Sequence, residues 1–136
     1  MPSGSCLCGA VKIEYTQEPI AKALCHCTDC RKITGSTYST NAVVPQDGFK
    51  VTSGKPKVFS KTADSGNKIH SYFCGDCGTT LYRDGDSFNG AKIVKAGVLD
   101  DYAALNNAKP AVELYAPERV DWVVPVPGAD QKQGMS

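Results

Sequence analysis

Seven cysteines fall into three groups: Cys6 and Cys8 (SCLCG), Cys25, Cys27 and Cys30 (CHCTDC), and Cys74 and Cys77 (FCGDCG). In an extended chain, residues two apart share a face, so each C-x-C unit can present two thiolates together while Leu7 or His26 points away. In C-x-x-C a turn brings both sulfurs to one ion, and Gly78 is the residue expected to close that turn. Grouped thiolates at these spacings bind metal. Four cysteines also suit iron-sulfur clusters, and a single-iron centre would draw on two C-x-x-C units, so zinc fits this set better. A thioredoxin-like redox C-x-x-C would need a βαβ context, which the sequence lacks.

A structural zinc takes four ligands, whereas a catalytic zinc keeps one position open. Seven ligands divide most simply as a closed site of Cys6, Cys8, Cys74 and Cys77 and an open site of Cys25, Cys27 and Cys30. A swapped pairing of the clusters would have the same composition. Three thiolates leave the second site net anionic and soft, a setting in which a substrate thiolate is a sensible fourth ligand. Arg31 and Lys32 follow directly and could offset that charge or hold a substrate carboxylate. His70 and Tyr72 share a strand face with Cys74 and could orient groups near the metals, although half-buried strand positions are the commoner reading. His26 is a poor fourth ligand because it points away. Asp100 or Asp101 reads as a helix cap before Tyr102, and Trp122 as core or a pocket wall.

The elements that position these residues read as short strands. Val11, Ile13 and Tyr15 alternate with Lys12 and Glu14, and similar runs are predicted over 21–27, 38–44, 49–52, 57–61, 68–74, 79–83, 92–98, 112–115 and 120–124. Turn residues separate them, and the only helix signal of note is the one before Tyr102. The pattern predicts a mainly β, antiparallel domain with few short helices. Residues 62–67 read as a solvated loop. At 136 residues and 41% hydrophobic content the chain predicts a single domain over 1–127, followed by a flexible tail over 128–136.

Fifteen basic and 14 acidic residues give a net charge of +1, so no strong field recruits nucleic acid or an anionic membrane. Cysteine makes up about one residue in twenty, below the ~8–10% of secreted disulfide scaffolds. The start of the chain lacks a secretory signal and no apolar run is long enough to span a bilayer, so a cytoplasmic, reducing location is expected.

Residues 4–11 (GSCLCGAV), 25–32 (CHCTDCRK), 73–79 (FCGDCGT), 97–101 (GVLDD) and 119–122 (RVDW) resemble the glutathione-dependent formaldehyde-activating enzyme family, also called the centromere protein V type. The resemblance runs from about Ser3 to Val124. It implies antiparallel sheets around zinc in an Mss4-like, or β-tent, architecture. It also implies two zinc ions: a structural one on Cys6, Cys8, Cys74 and Cys77, and a catalytic one on Cys25, Cys27 and Cys30. The family's named activity, a carbon-sulfur lyase reaction, joins formaldehyde to glutathione. The expected partner is therefore a small thiol or thiol adduct. The alternative is a non-catalytic, zinc-stapled binding module, because a similar fold serves non-enzymatic partners.

Overall fold

A computed structural model of the chain describes residues 2–63 and 65–135. Its strands are β1 (Ser3–Ser5), β2 (Lys12–Glu14), β3 (Ala21–Cys25), β4 (Ser39–Val44), β5 (Lys50–Ser53) and β6 (Lys57–Thr62). They continue with β7 (Lys68–Phe73), β8 (Thr80–Gly85), β9 (Lys92–Lys95), β10 (Val112–Leu114) and β11 (Asp130–Gln131). Two short helices, α1 (Thr28–Thr34) and α2 (Tyr102–Asn107), complete the regular elements beside a few single 3-10 turns.

The strands form two sheets, β1-β2-β5 and β11-β10-β3-β4-β9-β8-β7-β6. The core lies where these sheets meet. Val11, Ile13 and Tyr15 are buried as their alternation predicts, and they pack with Ala42, Val44, Tyr82, Val94 and the partly buried Phe49 and Val51. Tyr82 stacks on Tyr72 at a ring separation of 4.3 Å and meets Phe49 edge-on at 4.7 Å. Gly4 lets β1 approach closely enough to pair with Leu99, since a Cβ at Gly4 would lie 2.6 Å from the Val98 carbonyl oxygen. Asp100 accepts the Ser5 hydroxyl at 2.8 and 2.9 Å, pinning the same strand just before Cys6.

The opposite face of the large sheet is polar although it is also buried. Directly paired residues share a face, so Cys25 with Ser39, Asn41 with Lys95, and Ser71 with Arg83 all line this side. Ser39, Asn41, Ser71, Arg83 and Lys95 are each less than a tenth exposed. Helix α1 lies over this face, its Asp29 reaching Lys61 at 2.6 Å and Arg83 at 3.6 Å.

The fold is mainly β, and most of its pairings are antiparallel, as the strand pattern predicts. The pairs β10–β3 and β10–β11 are parallel, which makes the large sheet mixed. Residues 120–124, read as a strand, form turns instead, with Trp122 75% and Val124 81% exposed. Val123 N–H bonds Val120 O at 3.2 Å, closing a turn within the segment, and Pro125 and Pro127 beyond it lack the donors with which a strand could continue. Trp122 is therefore neither core nor a buried wall. The tail expected over 128–136 contains β11, which docks beside β10 and places Gln131 against Glu113. Ser136 lies outside the described residues. Asp101 caps α2 by accepting from the Ala103 N–H at 2.9 Å, as predicted. Among the described residues no helix is long and apolar enough to cross a membrane.

Candidate metal centres

The first cluster joins two distant loops. Cys6 and Cys8 sit in the tight turn between β1 and β2, not in an extended strand. That turn is closed by Gly9 N–H to Cys6 O at 3.0 Å and Cys6 N–H to Val11 O at 3.0 Å. Leu7 projects outward, 88% exposed. Cys74 and Cys77 occupy the turn between β7 and β8, where Gly78 takes φ +82° and its N–H reaches Cys74 O at 2.8 Å. That left-handed conformation is the one glycine adopts without cost.

The four sulfurs lie within 4.8 Å of one another, with Cys6–Cys8 at 3.7 Å and Cys8–Cys74 at 3.8 Å. All are free thiols, far apart for a disulfide. A tetrahedron with metal–sulfur bonds of about 2.3 Å has edges of about 3.8 Å, so the spacing suits a four-thiolate zinc. Backbone N–H groups of Val11 and Asp76 donate to Cys6 and Cys74 at 3.2 and 3.4 Å, and the Thr79 hydroxyl lies 3.3 Å from Cys77. That hydroxyl, the Thr79 N–H and the Cys8 backbone hold Cys77 down at about 5, well into the thiolate range at neutral pH.

The second cluster spans the end of β3 and the start of α1. Cys25 ends the strand, Cys27 is the helix N-cap and Cys30 lies in the first turn, the three sulfurs again within 4.8 Å of one another. The Cys27 sulfur accepts the Cys30 N–H at 3.4 Å, and Gly35 at φ +69° ends the helix. The N-terminal signal of this helix is masked because its cap is a cysteine rather than Ser, Thr, Asp or Asn, which leaves Gly35 and the basic Arg31 and Lys32 as its sequence marks. Cys27 is the half-exposed member of the trio, while Cys25 and Cys30 are buried. Hydrogen bonds from Cys25 and then Cys27 pull the Cys30 thiol down, while those with Cys27 and then Cys30 push Cys25 up. Crowded thiolates repel one another, and a bound cation would favour the ionised form of all three.

His26 points away from the trio, as predicted, and is fully buried with Nε2 2.7 Å from Glu113 Oε1. Arg31 Nη2 donates to Thr28 Oγ1 at 3.0 Å while its buried Nε has no partner among the described residues, and Lys32 is exposed. His70 Nδ1 lies 2.7 Å from Ser60 Oγ, and the Tyr72 hydroxyl donates to Asp84 at 3.1 Å, so both have partners remote from the sulfurs.

Three neighbours of the trio escape a sequence reading. Ser39, buried, is the direct cross-strand partner of Cys25. Lys95, also buried, donates to Asn41 Oδ1 at 2.7 Å. Burial lowers the Lys95 pKa, and the charge on Cys30 pushes it back up. Tyr115 follows β10 in a left-handed conformation at φ +54°, rare for an aromatic residue. Burial and then charge on Cys27 and Cys25 raise its phenol pKa. A lysine inside the apolar run IVKAGV is the one signal that could have flagged Lys95.

The family model for the glutathione-dependent formaldehyde-activating enzyme matches residues 1–118. A relative from Podospora anserina is 36% identical over 86 residues, covering 60% of this chain and 39% of its own. One from Penicillium rubens is 33% identical, covering 57% and 40%, and one from Sordaria macrospora is 30% identical, covering 54% and 30%. All three are named, provisionally, as glutathione-dependent formaldehyde-activating enzymes. The chain spans no more than two fifths of the length of these curated relatives. The crystal structure of a Rhodobacter sphaeroides protein shares the fold, with a TM-score of 0.58 at 22% identity, covering 72% of this chain and 87% of that one. With the match extending over 118 of 136 residues and taking in all three cysteine groups, the chain belongs to the glutathione-dependent formaldehyde-activating enzyme family.

Proposed function

We propose that Cys6, Cys8, Cys74 and Cys77 hold a structural zinc, and that Cys25, Cys27 and Cys30 hold a catalytic zinc with one position open. On this reading the chain is a zinc-dependent enzyme of the carbon-sulfur lyase kind. It joins a small thiol, glutathione or another, to a small aldehyde such as formaldehyde. The observation that carries the reading is the trio itself: three clustered sulfurs with no fourth Cys, His, Asp or Glu donor grouped with them among the described residues.

A zinc bound there supplies a soft Lewis-acidic position that favours thiolate over thiol at neutral pH. Cys27 is the member of the trio that reaches solvent, which supports entry of a substrate sulfur from that side. Tyr115, its phenol kept protonated by burial and nearby negative charge, is suited to donate a hydrogen bond to the aldehyde oxygen as that oxygen gains charge. In the overall reaction the sulfur-carbon bond forms, the carbonyl π bond breaks, and the proton that left the thiol ends on the new hydroxyl. Arg31 and Lys32 are assigned to a carboxylate of the thiol substrate, which glutathione would supply.

The test is exchange NMR on glutathione and formaldehyde at equilibrium, with and without the zinc-loaded protein. Faster interconversion with the S-hydroxymethyl adduct, lost in Cys27→Ser, is expected. No acceleration with glutathione or any smaller thiol would overturn the enzyme reading in favour of a binding module.

A further inference from the structure

We propose that Lys95 is the counter-charge of the Cys25, Cys27 and Cys30 centre and gives it a preference for an anionic over a neutral ligand in its open position. The inference rests on reading that trio as an open metal centre.

Lys95 ends β9 on the polar face beneath α1, and it is 7% exposed. Its Nζ donates to Asn41 Oδ1 at 2.7 Å, and Asn41 is its direct cross-strand partner. The Asn41 amide nitrogen in turn donates to Ser39 Oγ at 2.9 Å and Ala23 O at 3.2 Å, which fixes Oδ1 toward the lysine. Ser39 pairs directly with Cys25 across the sheet, which places its side chain on the same face as the trio, and it helps to lower the Cys30 thiol pKa. A hydrogen-bonded chain therefore runs from the ammonium through Asn41 to Ser39, the cross-strand neighbour of Cys25.

A buried ammonium needs a compensating negative charge. Among the described residues no carboxylate lies within ion-pair distance of Lys95, and the acidic residue on this face, Asp29, is engaged by Lys61 and Arg83. The remaining anion is the thiolate trio. With a dication bound, the trio still carries net negative charge, and an incoming thiolate adds more. A fixed cation on the same buried face offsets that added charge, whereas it does nothing for a neutral donor such as imidazole.

The experiment uses the full chain loaded with cobalt, whose visible spectrum reports ligand exchange at the trio. Wild-type protein, Lys95→Met and Lys95→Arg are each titrated with 2-mercaptoethanol and with imidazole. We expect Lys95→Met to lose about ten-fold in thiol affinity relative to imidazole, the scale of one charge acting across a partly screened interior. Lys95→Arg should keep the wild-type ratio. Should Lys95→Met not fold, Lys95→Gln makes the same comparison. An unchanged ratio in the neutral variants overturns the proposal while leaving the open centre intact. If neither ligand alters the wild-type spectrum, the open-position reading fails instead. The affinity of the trio for cobalt then decides on Lys95: a ten-fold loss in Lys95→Met, with the first cluster unaffected, supports the counter-charge and no loss overturns it. A trio that takes up no cobalt overturns both.

Discussion

His26 Nε2 lies 2.7 Å from Glu113 Oε1, and both side chains are wholly removed from solvent. The Glu113 carboxylate also accepts the Val126 N–H at 2.7 Å, the Gln131 amide at 3.0 Å and Arg119 Nε at 3.4 Å. His26 sits between Cys25 and Cys27, so one carboxylate ties the three-cysteine stretch to the C-terminal segment. Arg119, Val126 and Gln131 follow Glu113 by 6, 13 and 18 residues, whereas His26 comes from 87 residues away and is the long-range link.

Replacing Glu113 with Ala strands a buried imidazole and a guanidinium without their acceptor. Breaking a buried, charged cluster from one side costs roughly 3 kcal/mol or more. Urea unfolding of zinc-loaded Glu113→Ala should show that loss. A change under about 0.5 kcal/mol, the size of an ordinary surface substitution, would contradict the anchoring role.

Truncation after Pro127 removes β11 and with it the Gln131 amide and its bond to Arg119. A few lost hydrogen bonds at a partly buried site cost about 1–3 kcal/mol. The thermal midpoint should fall measurably, whereas an unchanged midpoint would mean the segment behaves as the frayed tail its composition suggests.

The strands were legible because their chemistry is local. Period-two alternation at Val11, Ile13 and Tyr15, and turn residues at Gly9 and Gly78, specify conformation within a few residues. The grouping of Cys6 and Cys8 with Cys74 and Cys77 was the simplest division of seven thiolates, but a swapped pairing had the same composition, and it is the fold that brings these four together. What was not legible depends on tertiary partners. Glu113 looks like a solvent-facing charge in VELY and Lys95 is marked only by the apolar run around it, and the neighbouring strands and helix reveal both as buried. Helix α1 was hidden because its cap is a sulfur, and β11 because a two-residue strand has no pattern of its own.

Glu113 also makes stability depend on pH. Burial alone would raise its pKa, but the bonds from Gln131, His26 and Val126 and the charge of Arg119 hold it at about 2, against an ordinary 4.5. A depressed folded-state value means the stabilisation is complete above 4.5 and is lost as pH falls toward 2. Comparing Glu113→Gln with the unmodified chain between pH 6 and pH 3 isolates this effect from acid release of metal. The stability gap should narrow on acidification. A gap that stays constant would show that the carboxylate is not held ionised.

The two cysteine clusters should fail differently. Cys74→Ser opens the site that fastens the β1–β2 turn to the β7–β8 turn. Structural zinc supplies on the order of 10 kcal/mol of folding free energy, so this variant should lose the fold or accumulate as insoluble protein. Cys27→Ser removes a ligand from the half-exposed trio and leaves the first cluster whole. Elemental analysis should therefore find about two zincs per chain in the unmodified protein and about one in Cys27→Ser, in line with one closed and one open site. Circular dichroism of Cys27→Ser should stay that of the folded β protein. Equal thermal collapse of the two variants would show that the sulfurs do not divide their work this way, and zinc-free but folded wild-type protein would remove the metal from both clusters.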